Sequence, residues 1–320
     1  MNNLKKIGLS ALAGSLVATT SAFAGEMAVG GSAKATWTGK ESGTITGNGI
    51  GMNKGLTFTG SGDLDNGHSI KVYTALNGTS RSSSSITYDM GDMGSLVLDN
   101  GVGGHGIGSI DDKTPTAAEE IWDNIAHGTG HDGYRVGVGN NGALAFSTTA
   151  AGVTISADYI KQGGGAIEDG ATGAAGAGSA RSLALTYGLA DGLTVGAGLG
   201  TAGTANVSAD RDQETMFVTY AVGGLTFGAQ TAQERGAGAY GWETTQWGLT
   251  YNVSDSLSLG YGERTIDRTD KTVDQEDSGV SASYTMGSIS VTANMNTADD
   301  MHGTAGSDKE TTEIAVSFAF

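Results

Sequence analysis

The chain has no cysteine, a single proline, half as many basic as acidic side chains and, beyond its first twenty-odd residues, no long apolar run. Each scarcity removes a class of protein. Without cysteine there is no disulfide scaffold, no thiolate nucleophile and no Cys-ligated zinc or iron–sulfur centre. With 34 acidic against 17 basic residues and a formal charge of -17, the chain repels phosphate, so nucleic acid is excluded as a partner. No internal segment reaches the ~18 apolar residues that a membrane helix needs. What is abundant is glycine, 55 of 320 residues, with neither a Gly-X-Y period nor the proline of a collagen or a disordered tract.

Met1 to Ala24 reads as a secretory signal peptide. Lys5 and Lys6 form its charged start, Ile7 to Thr20 its apolar stretch, and Ala22-Phe23-Ala24 a small-x-small cleavage site. An N-terminal anchor is the weaker reading, because Gly8, Ser10, Gly14 and Ser15 interrupt the stretch. The expected mature domain is 25–320, exported and more acidic than the precursor by two lysines.

From Gly25 onward the apolar residues recur every second position, the signal of β-strands. Val153, Ile155, Ala157 and Tyr159 share one face, as do Leu193, Val195, Ala197 and Leu199, and Ile289, Val291, Ala293 and Met295. The opposite face is small or polar, carrying Thr154, Ser156, Asp158, Ser290, Thr292 and Asn294. Sixteen strands are predicted, at 27–39, 54–61, 68–78, 82–89, 94–100, 142–149, 152–161, 181–188, 192–201, 213–222, 225–234, 242–252, 256–266, 277–286, 288–297 and 310–320. Short connections such as Ala150-Ala151, Gly223-Gly224 and Gly287-Ser288 alternate with long ones that hold most of the charge, at about 40–53, 100–142, 162–180, 202–212, 235–241, 267–276 and 297–309. A sheet with two such different ends has the pattern of an all-β transmembrane antiparallel barrel, with turns on one side and loops on the other. Tyr88, Tyr187, Tyr220, Tyr251 and Tyr284 each precede a short turn on the apolar parity. Five tyrosines at one height form the aromatic girdle that a bilayer interface selects.

The last strand alternates Ile314, Val316, Phe318 and Phe320 with Glu313, Ala315, Ser317 and Ala319, and its final residue is aromatic. It resembles the C-terminal signature of Gram-negative outer-membrane barrels, which implies that Phe318 and Phe320 are read by the barrel-insertion machinery. The hairpin Ile86–Asn100, with Met93 in place of an aromatic in its turn, is similar to the fourth and fifth strands of general porins. Leu144–Tyr159 with Gly152 looks like the next hairpin. The resemblance covers Gly25 to Phe320. It implies a homotrimer of 16-stranded barrels in the cell outer membrane, among lipid and lipopolysaccharide, each a water-filled diffusion channel for small hydrophilic solutes and ions, without enzymatic activity or cofactor.

In that family the third outer loop folds inward and narrows the pore. Here the longest connection, Asn100 to about Gly142, contains the only proline. Thr114 to Ile125 reads as one short helix, with Thr116 and Glu119 spaced as a capping box and Ile121, Trp122 and Ile125 on its apolar face. Asp111, Asp112, Glu119, Glu120 and Asp123 are then candidates for the acidic side of the constriction. On strand parity Lys34, Lys71 and Arg81 point into the lumen, and Arg135 precedes the sixth strand. These four are the candidate basic side. The family's usual Pro-Glu-Phe-Gly-Gly loop sequence and dense arginine ladder are absent. The excess of carboxylates predicts modest cation selectivity that weakens with salt.

Other signals carry less. Gly101–Gly106 and Gly137–Gly142 match G-x-G-x-x-G, but neither opens a helix after a strand. His127 and His131 have metal-ligand spacing, yet Gly128 stands where a metalloprotease needs Glu. Asp63, Asp65 and Gly67 lack the rest of a calcium loop and read as a turn, although outer-loop carboxylates are candidates for weak Ca²⁺ binding. A secreted calcium-binding β-roll needs tandem G-G-x-G-x-D repeats, which do not recur. A barrel enzyme needs a catalytic set, and the five histidines (68, 105, 127, 131 and 302) have no partner spacing that favours one. A substrate-specific channel needs a line of lumen aromatics, and only a few, Tyr73 and Phe217 among them, face inward.

Overall fold

The computed structural model describes residues 25–40, 49–123, 125, 141–161, 179–203, 210–236 and 241–320. Residues 1–24, with the expected signal peptide, lie outside them.

Sixteen antiparallel strands close into one barrel. They are β1 (Glu26–Lys40), β2 (Ile50–Asp63), β3 (Ser69–Asn77), β4 (Ser80–Asp89), β5 (Ser95–Asn100), β6 (Asn141–Ala150), β7 (Val153–Ile160), β8 (Ala180–Ala190), β9 (Leu193–Ala202), β10 (Arg211–Val222), β11 (Leu225–Arg235), β12 (Gly241–Asn252), β13 (Leu257–Arg268), β14 (Gln275–Met286), β15 (Ile289–Asp299) and β16 (Lys309–Ala319). Every strand pairs with its sequence neighbours, and β1 closes the ring on β16, with Ser32 opposite Ala319 and Lys40 opposite Thr311. No strand edge remains to template aggregation.

The usual distribution of polarity is inverted. Leu199 and Met216 are each 61% exposed on the outer surface, whereas Thr244, Gln246 and Arg264 on the inner wall are at most 1% exposed. An apolar exterior around a polar interior is what a barrel in lipid requires, since hydrocarbon solvates Leu and Met and offers no partner to Gln or Arg.

The tyrosines stand at one height. Tyr187 pairs with Val153, Tyr220 with Leu193, Tyr251 with Leu225 and Tyr284 with Leu257, in each case the first residue of a strand that follows a short turn. All four are exposed. Tyr88, opposite Ile70, is half-buried, and its hydroxyl lies 2.6 Å from His68 Nδ1.

Turn chemistry fixes the register at that end. Ala151 (φ 51°) and Gly152 (φ 80°) are both left-handed, as the tight two-residue hairpin turn demands. The expected turn at Asp63–Gly67 is present, with Gly67 N–H donating to the Leu64 carbonyl at 2.9 Å. One connection departs from the alternation of short and long: at the opposite end β3 and β4 are joined by Gly78 and Thr79 alone, with a register shift at Ala75/Leu76.

Candidate pore constriction

The segment after β5 turns into the barrel and runs along the inner wall, held at each step by side chains of successive strands. Its root is a buried carboxylate. Asp99, at 0% exposure, accepts the backbone N–H groups of Val102 (2.8 Å) and Gly103 (2.7 Å), and His105 Nε2 lies 3.3 Å away. The first G-x-G-x-x-G match thus directs its amides at the chain's own Asp99. The N–H groups of Gly106 and Ile107 then donate to Ser156 Oγ (β7) and Ser182 Oγ (β8), and Ser182 donates to Asp158 at 2.5 Å. Ile107 and Ile110 are buried, Ile107 with Ala232, Ile110 with Ala184 and Phe217.

Beyond the 3₁₀ turn Gly106–Ile110 the polar anchors continue around the wall. Gln230 (β11) donates to the Ile110 carbonyl and accepts from Lys113 N–H, both at 2.7 Å. Gln246 (β12) donates to Asp112 Oδ1 at 3.1 Å, and Ser281 (β14) accepts Ala117 N–H at 3.1 Å. Asn296 (β15) donates to the carbonyls of Glu120 (3.2 Å) and Asp123 (3.1 Å), and Lys309 (β16) donates to that of Ile125. Arg264 (β13), paired with Asp277 (β14) at 2.5 Å, lies 4.3 Å beneath the centre of the Trp122 ring, a buried cation–π contact.

The helix expected over Thr114–Ile125 is replaced, among the described residues, by a run of bends and turns with i→i+3 bonds from Asp123 N–H to Glu120 and from Ile125 N–H to Trp122, and the Glu120 carbonyl, which an i→i+4 bond would use, is taken by Asn296. Thr116 and Glu119 make no capping box: the Thr116 hydroxyl donates to the Glu119 carbonyl at 2.7 Å. Among the described residues of this loop the helical turn is the 3₁₀ turn at Gly106–Ile110.

The acidic candidates fall into two groups along this path. Asp111 and Asp112 lie over β11 and β12, where Gln230 and Gln246 reach them. Glu119, Glu120 and Asp123 lie towards β15, β16 and β1. Burial raises the carboxyls of Asp111, Asp112 and Glu120 above the ordinary range. Asp123 is pushed up to about 6, chiefly by burial and further by the negative charges of Glu119 and Glu313.

The basic candidates are scattered. Lys34 joins the acids, 2.5 Å from Glu119 and 3.6 Å from Glu313. Lys71 is exposed on the inner parity of β3, opposite Ser61 and Thr87 near the short-turn end. Arg81, past the register shift in β3/β4, donates to Ser84 Oγ at 3.0 Å and reaches the Asn100 side-chain oxygen. Arg135, His127 and His131 lie outside the described residues. Phe318 is exposed on the outer face, and Phe320 pairs through its backbone with Gly31. Among the described residues no group of three or more His, Cys, Asp or Glu is placed to hold a metal ion.

Sequence reasoning missed the wall. Gln230, Gln246, Arg264, Asp277, Asn296 and Glu313 all have inward parity on β11–β16. The available signal was bulk and charge on a face otherwise built of Gly, Ser and Thr.

A family model for the Gram-negative porin matches residues 8–320. Among solved structures, the chain is similar to an anion-selective porin from Comamonas acidovorans, with 14% identity, TM-score 0.65 and coverage of 92% of this chain and 100% of that one. It is also similar to OmpF of Salmonella typhi, solved in complex with daunomycin, with 12% identity, TM-score 0.68 and coverage of 93% and 98%. A variant of the Rh. blastica porin has 13% identity, TM-score 0.66 and coverage of 92% and 100%. No curated protein matches the chain. A closed, polar-cored barrel of sixteen strands with the described segment after β5 folded inside, matched by the family model over nearly its whole length, belongs to the Gram-negative porins, the non-enzymatic channels of the outer membrane.

Proposed function

We propose that the channel is a water-filled, general-diffusion pore for small hydrophilic solutes and ions, modestly selective for cations. The observation that carries this reading is the charge balance at the inward loop: Asp111, Asp112, Glu119, Glu120, Asp123 and Glu313 against Lys34, Lys113 and Lys309. Two cations elsewhere on the inner wall are answered by carboxylates, Arg211 by Glu234 at 3.1 Å and Arg264 by Asp277 at 2.5 Å. A negative field in a narrow aqueous gap raises the local concentration of cations. A structural relative being anion-selective does not bear on the sign here, because at 14% identity the likeness is one of fold, whereas selectivity follows from side chains. Phe217, one of the inward aromatics, is 7% exposed and packed with Ile110, so it is not part of a sugar-binding track.

The further parts of the proposal are a homotrimer among outer-membrane lipid and lipopolysaccharide, export through a cleaved segment 1–24, and insertion signalled by Phe318 and Phe320. Outer-loop carboxylates bind Ca²⁺ at most weakly. The test is the zero-current potential across a planar bilayer under a KCl gradient. A cation-favouring potential that collapses on neutralising Asp111, Asp112, Glu119, Glu120 and Asp123 supports the reading. An anion-favouring potential, or one indifferent to those substitutions, contradicts it.

A further inference from the structure

The inner wall beneath the loop is organised in two rows running across the strands. In one, Gly228 (β11) stands opposite Gly248 (β12), Gly248 opposite Gly262 (β13), and Gly262 opposite Gly279 (β14). In the next row towards the long loops, Gln230 stands opposite Gln246, Gln246 opposite Arg264, and Arg264 opposite Asp277. The glycine row is filled by the loop. A methyl group on Gly228 would lie 2.5 Å from Pro115 Cδ and 3.0 Å from the Lys113 carbonyl oxygen. One on Gly248 would lie 2.5 Å from the Pro115 carbonyl oxygen, and one on Gly262 or Gly279 would lie 3.1 Å from the Ile121 side chain, although it would meet the wall first, at the Trp247 carbonyl oxygen (3.0 Å) and the Asn296 side-chain oxygen respectively. The polar row holds the same residues from the side, through Gln230 to Lys113, Gln246 to Asp112 and Arg264 to Trp122.

We infer that this glycine row, with Gln230 and Gln246 beside it, is a seat that sets how far the loop stands off the wall and hence how wide the pore is. The glycines are positioning residues of the channel: they touch no solute and act through Pro115 and Ile121. None of the four has the left-handed backbone that would demand glycine for its own conformation. What requires glycine at Gly228 and Gly248 is the close approach of the loop, and at Gly262 and Gly279 the loop adds to crowding by the wall. Proteins are packed too densely for an added methyl to be absorbed at 2.5 Å, so the wall or the loop moves, and the loop is the side that borders open water. This inference rests on the reading of the protein as an open diffusion pore.

The test is single-channel conductance of purified full-length protein, scored with heat-modifiability on gels to confirm a folded barrel. To recover ordinary carbon contact Pro115 moves about 1 Å into the lumen, so Gly228→Ala lowers conductance by roughly a tenth or more. Gly228→Ala combined with Pro115→Ala, which removes the opposing Cδ, restores wild-type conductance. Gly188→Ala, at a wall glycine with no atom within 4 Å of the added methyl, leaves it unchanged. A folded Gly228→Ala with wild-type conductance, or a loss that Pro115→Ala does not reverse, overturns the inference. If Gly228→Ala does not assemble, a double variant that assembles with wild-type conductance supports the seat, and one that also fails overturns it. A wild-type protein that folds but never conducts defeats the diffusion-pore reading itself, a distinct result.

Discussion

Asp123 is the residue at which the chemistry of the loop is most exposed to measurement. With its carboxyl near 6, it is charged above that value and neutral below it, so the pore loses negative charge as pH falls from about 7.5 to about 5. Cation preference therefore falls across this window, and Asp123→Asn flattens the dependence, as zero-current potentials at a series of pH values would register. Lys34→Met acts in the opposite sense. Removing the cation beside Glu119 and Glu313 raises cation preference roughly twofold in permeability ratio, the effect of about 0.4 kcal/mol from a unit charge on the order of 10 Å away in water. Both effects shrink in high salt. The acids of the loop were legible from composition and spacing, since the longest, proline-bearing connection holds them. That Lys34 belongs with them was not, because strand parity gives the face of a residue and not its height or its partner across the barrel.

At the scale of elements, period-two alternation found all sixteen strands, and the tyrosines before the short turns gave their common height. The same reasoning failed over Thr114–Ile125, where side chains remote in sequence bind the loop backbone at Lys113, Ala117, Glu120, Asp123 and Ile125 and hold it to the wall. Local pattern is a sound guide to strands whose hydrogen bonds go to neighbours in order, and a poor one to a loop whose bonds go to a wall. One tie between the two is Trp122 over Arg264, whose ion pair with Asp277 within the wall has both side chains at 0% exposure. Asp277→Ala leaves a buried guanidinium without its carboxylate. It should destabilise the barrel by about 3–5 kcal/mol, the usual result of breaking a buried pair from one side, read as a lower temperature of heat modification. Ala151→Gly should do the reverse on a smaller scale. It relieves a left-handed alanine worth about 1 kcal/mol in the β6–β7 turn.

The described molecule is a sheet closed on itself, with apolar side chains such as Leu199 and Met216 outside and polar ones such as Gln246 and Arg264 inside, and each side is explained by the medium that it meets. Leu259→Arg, which places a charge on the outer face just above the tyrosine girdle, two residues from the start of β13, should cost about 1 kcal/mol and lower the yield of folded barrel in lipid vesicles. What the closed barrel with its seated loop most directly claims is an open aqueous path. Purified protein added to a planar bilayer in KCl is predicted to open in discrete steps, grouped in threes, with a conductance that scales with that of the bulk electrolyte. A folded, heat-modifiable barrel that inserts and gives no such steps would contradict the account.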